Sequence, residues 1–381
     1  LPIRRFSFGT LPAGNECRSG TRTAAQGAAV ATQQVQLAGS SAGLVRPVAM
    51  AVDASGVTYV ADEGAHVIWR IAADGTTTLL AGRVGEGAYF NAPGTASRFN
   101  SPSGIAIGAG GAVFVSDTGN HAIRRIAPDG TVTTVAGFPG QATVITGTVA
   151  EARFNLPGRM RADAQGNLYI AEGGAVRRIS TEGQVTTVAG SLASSTRVLG
   201  DAGQAGFYIV RSLAIDSQGG MWVLEVDTAG LQWIRRFDAN GRFVRLANTA
   251  DGTRSMQFAT DLAVDGSGNA YVSLSGTSNQ EMVFQGVYKM DPGGAMTLYG
   301  GAVIPSYPVP SVFPRLMGGA TGLALDPSVA GGARLMVADS AAAAEAAVIS
   351  YCTPAIRTLR PTRSSASCAV ISSLTGITFA A

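Results

Sequence analysis

The stretch Phe99–Gly137 reads FNSPSGIAIGAGGAVFVSDTGNHAIRRIAPDGTVTTVAG, and it contains four short apolar runs separated by three gaps. The gaps read GAGG, DTGN and APDG, and residues of these types favour tight turns. Glycine and aspartate interrupt the stretch before an apolar stripe with a helical period can form. The stretch therefore predicts a unit of four antiparallel strands.

The same pattern recurs on both sides of this stretch. Arg46–Gly82 and Phe154–Gly190 repeat it closely, and looser copies span residues 207–248, 258–300 and 316–351. A repeat of roughly 50 residues with four strands in each copy is typical of propeller blades. The six copies predict an all-β fold, a six-bladed β-propeller of four-stranded antiparallel blades.

The closest copies share the pattern P-x-G-[IV]-A-[VI]-D…G-x-[VL]-[YF]-V-[AS]-D…N-H-x-I-R-[RK]-I, which resembles the NHL repeat. The first three copies match it closely and the last three only in outline. The resemblance implies a propeller, but a fold of this kind hosts many activities. Lyases and lactonases related to this fold depend on histidine or carboxylate clusters in the central opening, so the resemblance also implies an enzymatic alternative.

The N-terminal region carries a strand pattern before any blade has begun. Thr32–Gly39, TQQVQLAG, matches the last strand of a blade such as Thr76–Gly82. We expect it to complete the sixth blade and close the ring, because this pairs two open edges. Ala355–Arg360 is the rival for that place. The predicted organisation is an N-terminal tail at 1–31, a propeller at 32–360 and a C-terminal tail or hairpin at 361–381.

Composition narrows the class of protein. Charged residues make up 14% of the chain, and the formal net charge is +3 without a concentrated basic run. Lys289 is the one lysine, and all other residues counted as basic are arginine. A GC-rich genome explains this preference for arginine more simply than phosphate recognition does. No nucleic-acid partner is therefore expected. No apolar run reaches the length of a membrane span.

The sequence also favours a location outside the cytoplasm. Low charge with abundant serine, threonine and glycine favours an exported bacterial protein that is secreted, at the cell surface or periplasmic. The chain begins at Leu1 without methionine, and we expect a processed or trimmed product.

Acidic residues recur where the second strand of a blade ends. A carboxylate in this place can accept N–H bonds from the turn that follows, so a structural role is favoured over cation binding. His66 and His121 occupy one repeat position in neighbouring blades, and two histidines do not supply the three protein ligands of a catalytic zinc. No catalytic residue and no cofactor are therefore predicted. The weak candidates for a metal are Asp62, Asp117, Glu172, Glu225 and Asp339.

Basic residues align in the third strands. Strand alternation places them on one side of their blades, where pairing with carboxylates of a neighbouring blade is expected. The aligned residues are Arg70, Arg125, Arg178, Arg236 and Lys289.

Long connections between blades, at 83–98, 138–153, 191–206 and 301–315, are expected to emerge on one side of the disc, which we call the long-loop face. The opposite side, the short-turn face, carries tight turns such as Ala109–Gly111. Side chains on the long connections are candidates for partner binding, and packing onto the blades is their equal alternative. These candidates are Tyr89, Phe90, Arg98, Phe138, Arg153, Tyr307 and Phe313.

The three cysteines, Cys17, Cys352 and Cys368, lie outside the regular blade positions or at the edge of the last blade. A bond between Cys352 and Cys368 would close a short loop, whereas Cys17 with either of the others would fasten the N-terminal tail to the C-terminal region. The pairing stays open at this point.

The absence of a catalytic constellation favours a non-enzymatic exported scaffold or binding protein. It would use the long-loop face and the tails for protein–protein contacts, and self-assembly at a cell surface, with a homo-oligomer formed through the tails, is its specific version. The alternative is a metal-assisted lyase or lactonase that acts at the central opening. RNA binding by an arginine-bearing face is a minor third possibility.

Overall fold

The computed structural model describes residues 29–30, 33–38, 43–192, 196–247, 259–277, 282–305, 320–328, 334–339 and 348–353. Within these ranges nearly all regular structure is strand, and the helices are single 3-10 turns at Gly94–Ala96, Ala109–Gly111 and Thr118–Asn120. None of these turns has the length or the apolar character to cross a membrane. The all-β class is confirmed.

The first blades follow two short N-terminal strands, β1 (Ala29–Val30) and β2 (Gln33–Ala38). The first blade contains β3 (Pro47–Val52), β4 (Thr58–Asp62), β5 (Val67–Ile71) and β6 (Thr77–Ala81). The second contains β7 (Pro102–Ile107), β8 (Val113–Asp117), β9 (Ala122–Ile126) and β10 (Val132–Gly137). The third contains β11 (Gly147–Thr148), β12 (Met160–Ala162), β13 (Leu168–Glu172), β14 (Ala175–Ile179) and β15 (Gln184–Gly190), with β11 on its outer edge.

The fourth blade contains β16 (Ile209–Ile215), β17 (Met221–Val226), β18 (Gln232–Phe237) and β19 (Phe243–Ala247). The fifth contains β20 (Ala259–Val264), β21 (Ala270–Thr277), β22 (Met282–Met290) and β23 (Met296–Pro305). A sixth sheet contains β24 (Ala320–Asp326), β25 (Arg334–Asp339) and β26 (Val348–Thr353). Five blades are thus each built from four consecutive strands, and all neighbouring strands are antiparallel.

The sixth sheet takes its fourth strand from the other end of the chain. Strand β2 pairs antiparallel with β26, and Gln34 lies opposite Cys352. Strand β2 lies within the predicted Thr32–Gly39, and the rival Ala355–Arg360 lies outside the described residues. Strand β1, within the predicted N-terminal tail at 1–31, pairs with β23 of the fifth blade.

Apolar clusters fill the spaces between neighbouring sheets. Ile68 of the first blade packs with Ile105 and Val115 of the second. Met336 of the sixth sheet packs with Met50 of the first blade. Equivalent clusters join the second blade to the third, the third to the fourth, the fourth to the fifth and the fifth to the sixth sheet. The molecule has the layered arrangement of a propeller, in which each blade is buried against its neighbours.

The first strand of each sheet lies at one edge of the sheet, and these strands contact one another in the order β3, β7, β12, β16, β20, β24 and again β3. They surround the central channel, and their approach is close. A Cβ atom on Gly104 would lie 2.2 Å from the Gly158 carbonyl oxygen, and one on Gly322 would lie 2.6 Å from that of Val48. Only glycine fits at these two positions.

Aspartates that end first strands form the tight turns predicted for the short-turn face. Asp53 Oδ1 accepts hydrogen bonds from the N–H groups of Ser55 and Val57, at 2.9 and 3.0 Å. Asp163, Asp216 and Asp265 repeat the arrangement in later blades. These aspartates therefore have a structural role in the turns.

Candidate functional site

A buried carboxylate ends the second strand in the second, third and fourth blades, and each is paired with an arginine. In the second blade, Asp117 Oδ2 lies 2.6 Å from Arg124 Nη1, and Asp117 Oδ1 accepts the Asn100 N–H at 2.7 Å. Burial raises the pKa of Asp117 to about 6, against the attraction of Arg124. The pair recurs as Glu172 with Arg177 and as Glu225 with Arg235, each at 2.8 Å.

The first blade uses a different partner at this position. Trp69 takes the place of the arginine, and its Nε1–H donates to Asp62 Oδ2 at 3.1 Å. Asp62 also accepts N–H bonds from Val45, Arg46 and Ala65. The bond from Ala65 belongs to the turn after the strand, as the sequence predicted for this carboxylate.

The described candidate metal residues are therefore each hydrogen-bonded within a separate blade. Asp62, Asp117, Glu172 and Glu225 each bind N–H donors in a different blade, and the Asp339 side chain lies outside the described set. Within the part of the chain that the structure describes, no three histidine, cysteine, aspartate or glutamate side chains converge in a way that could hold a metal ion.

The predicted pairing of third-strand basic residues was wrong in both residue and partner. The buried arginines are Arg124, Arg177 and Arg235, one position before the residues selected from the sequence, and they bind carboxylates of their own blade. Of the selected residues, Arg236 pairs with Asp216, again within one blade, at 3.3 Å. Neighbouring residues of a strand face opposite sides, and the sequence alone does not show which arginine of an Arg-Arg pair faces inward.

The same buried arginines hold the long loops. Each described long connection is closed by an antiparallel bridge, Phe90 with Arg98, Ile145 with Arg153, and Val198 with Gly206. The arginine of the blade that follows donates to the carbonyl of the first bridge residue, from Arg124 to Phe90 at 3.0 Å, from Arg177 to Ile145 at 2.8 Å and from Arg235 to Val198 at 2.7 Å. Three long loops are therefore held by the same kind of bridge and the same arginine contact.

The predicted partner-binding residues divide into packed and exposed ones. The Tyr89 hydroxyl lies 2.6 Å from Thr134 Oγ1, and the Arg124 guanidinium stacks 4.5 Å from the Tyr89 ring, so Tyr89 packs onto the blade. Arg98 binds Glu86 at 2.9 Å and three loop carbonyls. Phe90, in contrast, is 57% exposed.

Phe138 and Arg153 of the next long loop form a pair of their own. The Arg153 guanidinium stacks 3.7 Å from the Phe138 ring, and it also donates to carbonyls of its own loop. Phe138 stays 43% exposed. The remaining candidates, Tyr307 and Phe313, lie outside the described residues.

An exposed apolar row occupies one position of the repeated loop. Phe90, Ile145 and Val198 all begin a loop bridge, and they are 57%, 47% and 45% exposed. Leu156, which precedes the first strand of the third blade, and Ile209, which begins that of the fourth, add further exposed apolar surface. Exposed apolar side chains held out by ordered loops are a feature of interaction surfaces. We call Phe90, Ile145 and Val198 the loop row.

The two histidines connect neighbouring blades. His66 Nδ1 accepts the Ser101 N–H at 2.9 Å, and His121 Nδ1 accepts the Leu156 N–H at 3.1 Å. Both histidines adopt the left-handed backbone conformation, with φ of 60° and 56°. Histidine tolerates this conformation better than most residues. The pair is a repeated structural link.

A cluster of charges fills the middle of the channel. Asp261 of β20 is fully buried, and its Oδ1 lies 2.9 Å from Arg161 Nη2 of the third blade. The Ser212 hydroxyl and the Leu323 N–H also donate to this carboxylate. Burial alone would raise the pKa of Asp261, but the charge of Arg161 and that of Arg159 outweigh it and hold the pKa below its ordinary value.

Arg159 is the second cation of this cluster. It donates to the carbonyls of Ser103 in the second blade and Thr321 in the sixth sheet, and its Nε lies 3.8 Å from Asp261 Oδ1. No hydrogen-bond partner is present for this buried Nε among the described residues. Two guanidinium groups, both partly buried, thus lie beside a single buried carboxylate.

A cavity of about 410 Å³ opens above this cluster. It is lined by residues of all six first strands near their C-terminal ends, which lie toward the short-turn face. Alanine stands at one lining position in five sheets and Arg161 in the third blade. Each alanine pairs with a residue of the second strand at the same register position at which Arg161 pairs with Tyr169. The five are Ala51, Ala106, Ala214, Ala263 and Ala324.

Sequence reasoning did not identify Arg159, Arg161 or Asp261. The available signal was their departure from the repeat, since the positions of Arg161 and Asp261 hold Ala106 and Gly104 in the copy that matches the pattern best. An alignment of the six first strands position by position would have exposed these residues.

Comparisons with known proteins agree with the fold. The model of the NHL repeat matches residues 99–126. A gluconolactonase from Xanthomonas campestris superposes with a TM-score of 0.51 at 16% identity, over 84% of this chain and 89% of that one. Virginiamycin B lyase from Staphylococcus aureus gives 0.52 at 12% identity, over 84% and 98%. At such identities the likeness concerns the fold alone. Comparison with curated proteins gives no match.

Proposed function

We propose that this chain, which belongs to the NHL-repeat β-propeller proteins, is a non-enzymatic binding protein that contacts a protein partner through its long-loop face. The observation that carries the proposal is the loop row. Phe90, Ile145 and Val198 are large, apolar and exposed at one repeated position. Buried arginines fix the loops in advance, so that binding costs little ordering entropy.

The partner that we propose is a second copy of the chain. The loops that carry the row bear charges of both signs, with Arg83 and Arg98 beside Glu86. A face of one sign would repel its own copy, whereas apolar side chains among mixed charges are compatible with self-association. An exported location, which composition favours, would place this assembly outside the cytoplasm.

Sedimentation velocity of the full chain over a concentration series tests the proposal. We expect the wild type to associate as concentration rises, and the triple variant Phe90→Ser, Ile145→Ser, Val198→Ser to stay monomeric. The control is Val244→Ser, which removes a 48% exposed apolar side chain from the outer strand β19 and should associate like the wild type. A wild type that stays monomeric, or a triple variant that still associates, would overturn self-association through this face.

The enzymatic alternative, a metal-assisted lyase or lactonase at the central opening, stays a second proposal. The observation that favours it is the cavity at the end of the channel. The described residues of the channel do not fit a divalent metal ion, because Asp261 is held by Arg161 with Arg159 close by. Elemental analysis together with a lactone hydrolysis assay tests it, and protein with neither bound metal nor turnover would argue against it.

We also infer that the sixth sheet is a sixth blade and that β2 closes the ring. The register supports this, because it places Gln34 of β2 opposite Cys352 of β26. Opposed residues of antiparallel strands are close enough for a disulfide, so cross-linking tests the pairing. In a chain with Cys17→Ser and Cys368→Ser, Gln34→Cys should cross-link to Cys352 under oxidising conditions. The control Val35→Cys faces the other side of the sheet and should not. Failure of Gln34→Cys to cross-link would contradict this closure.

A further inference from the structure

The channel cavity lies toward the short-turn face, away from the loop row, and its side chains have a simple chemistry. Its lining combines aliphatic side chains, from alanines such as Ala106 and Ala263 and from larger residues such as Ile107, Ile215 and Leu325, with main-chain polar groups of the first strands. Of the described residues that line it, Arg161 is the one with a charge. A volume of about 410 Å³ falls within the usual range of small-molecule sites, roughly 300–1,000 Å³.

Among the described residues, positive charges beside the cavity outnumber negative ones. Arg159 and Arg161 carry two positive charges against the one negative charge of Asp261, and Glu63 and Arg211, whose charges also act on Arg159, add one charge of each sign. Carbonyl oxygens of Leu262 and Leu323 accept hydrogen bonds from Arg161 but bring no formal charge. A partly buried cation without a full counter-charge is costly, and an anion in the cavity would reduce that cost.

Arg161 has donor capacity for such an anion. Its Nη1 carries two N–H groups, and one of them donates to the Met160 carbonyl at 2.9 Å. Guanidinium groups bind carboxylates with strong, directional hydrogen bonds. The aliphatic walls offer no side-chain partner for a hydroxylated ligand, but they favour a short hydrocarbon tail.

From these features we infer that the cavity binds a small organic monoanion, a short-chain alkyl carboxylate whose charged group meets Arg161 while its tail lies against the alanine positions. The site is independent of the long-loop face, and it holds whether or not the chain associates with itself. Arg161 stands where the other five sheets have alanine, and its positive charge gives the site its preference for an anion.

Isothermal titration calorimetry of the full chain with matched probes tests the ligand class. We expect saturable binding of butyrate at one site per chain and about tenfold or greater weakening for butanamide, which has the same size without the charge. Butylammonium should not bind. From acetate to butyrate each added methylene should tighten binding about fourfold. Absence of saturable butyrate binding, or equal affinity for butanamide, would overturn the proposal.

Substitutions that fill the cavity locate the site. Ala106→Leu and Ala263→Leu enlarge side chains that line the cavity from different blades, and each should lower butyrate affinity at least about tenfold while the variant stays folded. The control Ala73→Leu makes the same change on an exposed turn outside the cavity and should bind like the wild type. Should the leucine variants fail to fold, the butyrate and butanamide comparison on the wild type still decides. Unchanged binding in folded leucine variants would place the ligand elsewhere.

Discussion

Arg161 Nη2 lies 2.9 Å from Asp261 Oδ1, and this ion pair joins the third blade to the fifth across the channel. The same nitrogen donates to the carbonyls of Leu262 and Leu323, so one side chain also reaches the sixth sheet. First strands lie at sheet edges, and their free carbonyls need donors. The guanidinium supplies donors to several edges at once.

Removal of the carboxylate should therefore destabilise the whole propeller. In Asp261→Ala, the partly buried Arg159 and Arg161 would lose the carboxylate they share, and we expect the free energy of unfolding to fall by about 3–5 kcal/mol. Chemical denaturation measures it. The control Asp74→Ala, on an exposed turn, should change stability by less than about 1 kcal/mol. A loss of that small size in Asp261→Ala would mean that the channel charges are not energetically coupled.

Asp261 also predicts a dependence of stability on pH. Its pKa is lower in the folded chain than the ordinary value of 3.8, since Arg161 and Arg159 outweigh the effect of burial. Its stabilising contribution is therefore fully present above the unfolded pKa and is lost as the pH falls through the lower folded value. Between roughly pH 4 and pH 2 the unfolding free energy of the wild type should fall more steeply than that of Asp261→Asn. Parallel slopes in denaturation series would contradict the lowered pKa.

The neighbouring residues Arg124 and Arg125 offer a matched pair of substitutions. Arg124 is fully buried and binds Asp117 and the Phe90 and Arg98 carbonyls, whereas Arg125 is only half-buried. A lysine cannot reproduce this fork of donors. We expect Arg124→Lys to lower the free energy of unfolding by about 2–3 kcal/mol through lost hydrogen bonds. Arg125→Lys should stay within about 0.5 kcal/mol.

Two measurements check this pair. Denaturant unfolding gives the stability difference, and hydrogen exchange of the loop that contains Phe90 should speed up in Arg124→Lys alone, because that carbonyl loses its donor. Equal effects of the two lysine variants would mean that the buried arginine does not hold the loop.

How much of this structure the sequence predicts depends on how far apart along the chain the interacting residues lie. The strands within Phe99–Gly137 could be predicted because turn residues and apolar runs are local signals. The partner of Thr32–Gly39 could be predicted because an open edge needs a strand. The channel cluster could not, because Arg161 and Asp261 come from different blades and meet only when the first strands assemble. Which arginine of an Arg-Arg pair faces inward likewise depends on strand orientation.

Two substitutions of His66, which binds Ser101, separate two contributions to stability: the hydrogen bond between blades and the left-handed backbone conformation. His66 Nδ1 accepts the Ser101 N–H, and the residue adopts a left-handed backbone with φ of 60°. Asparagine tolerates this backbone, so His66→Asn should lose only the hydrogen bond between blades, about 1 kcal/mol. His66→Ala should lose about 1–2 kcal/mol more, since alanine disfavours the left-handed conformation. Chemical denaturation of both variants measures the two steps. His121, with φ of 56° and a bond from the Leu156 N–H, should give the same order, and equal losses for asparagine and alanine at both sites would show that backbone conformation makes no contribution there.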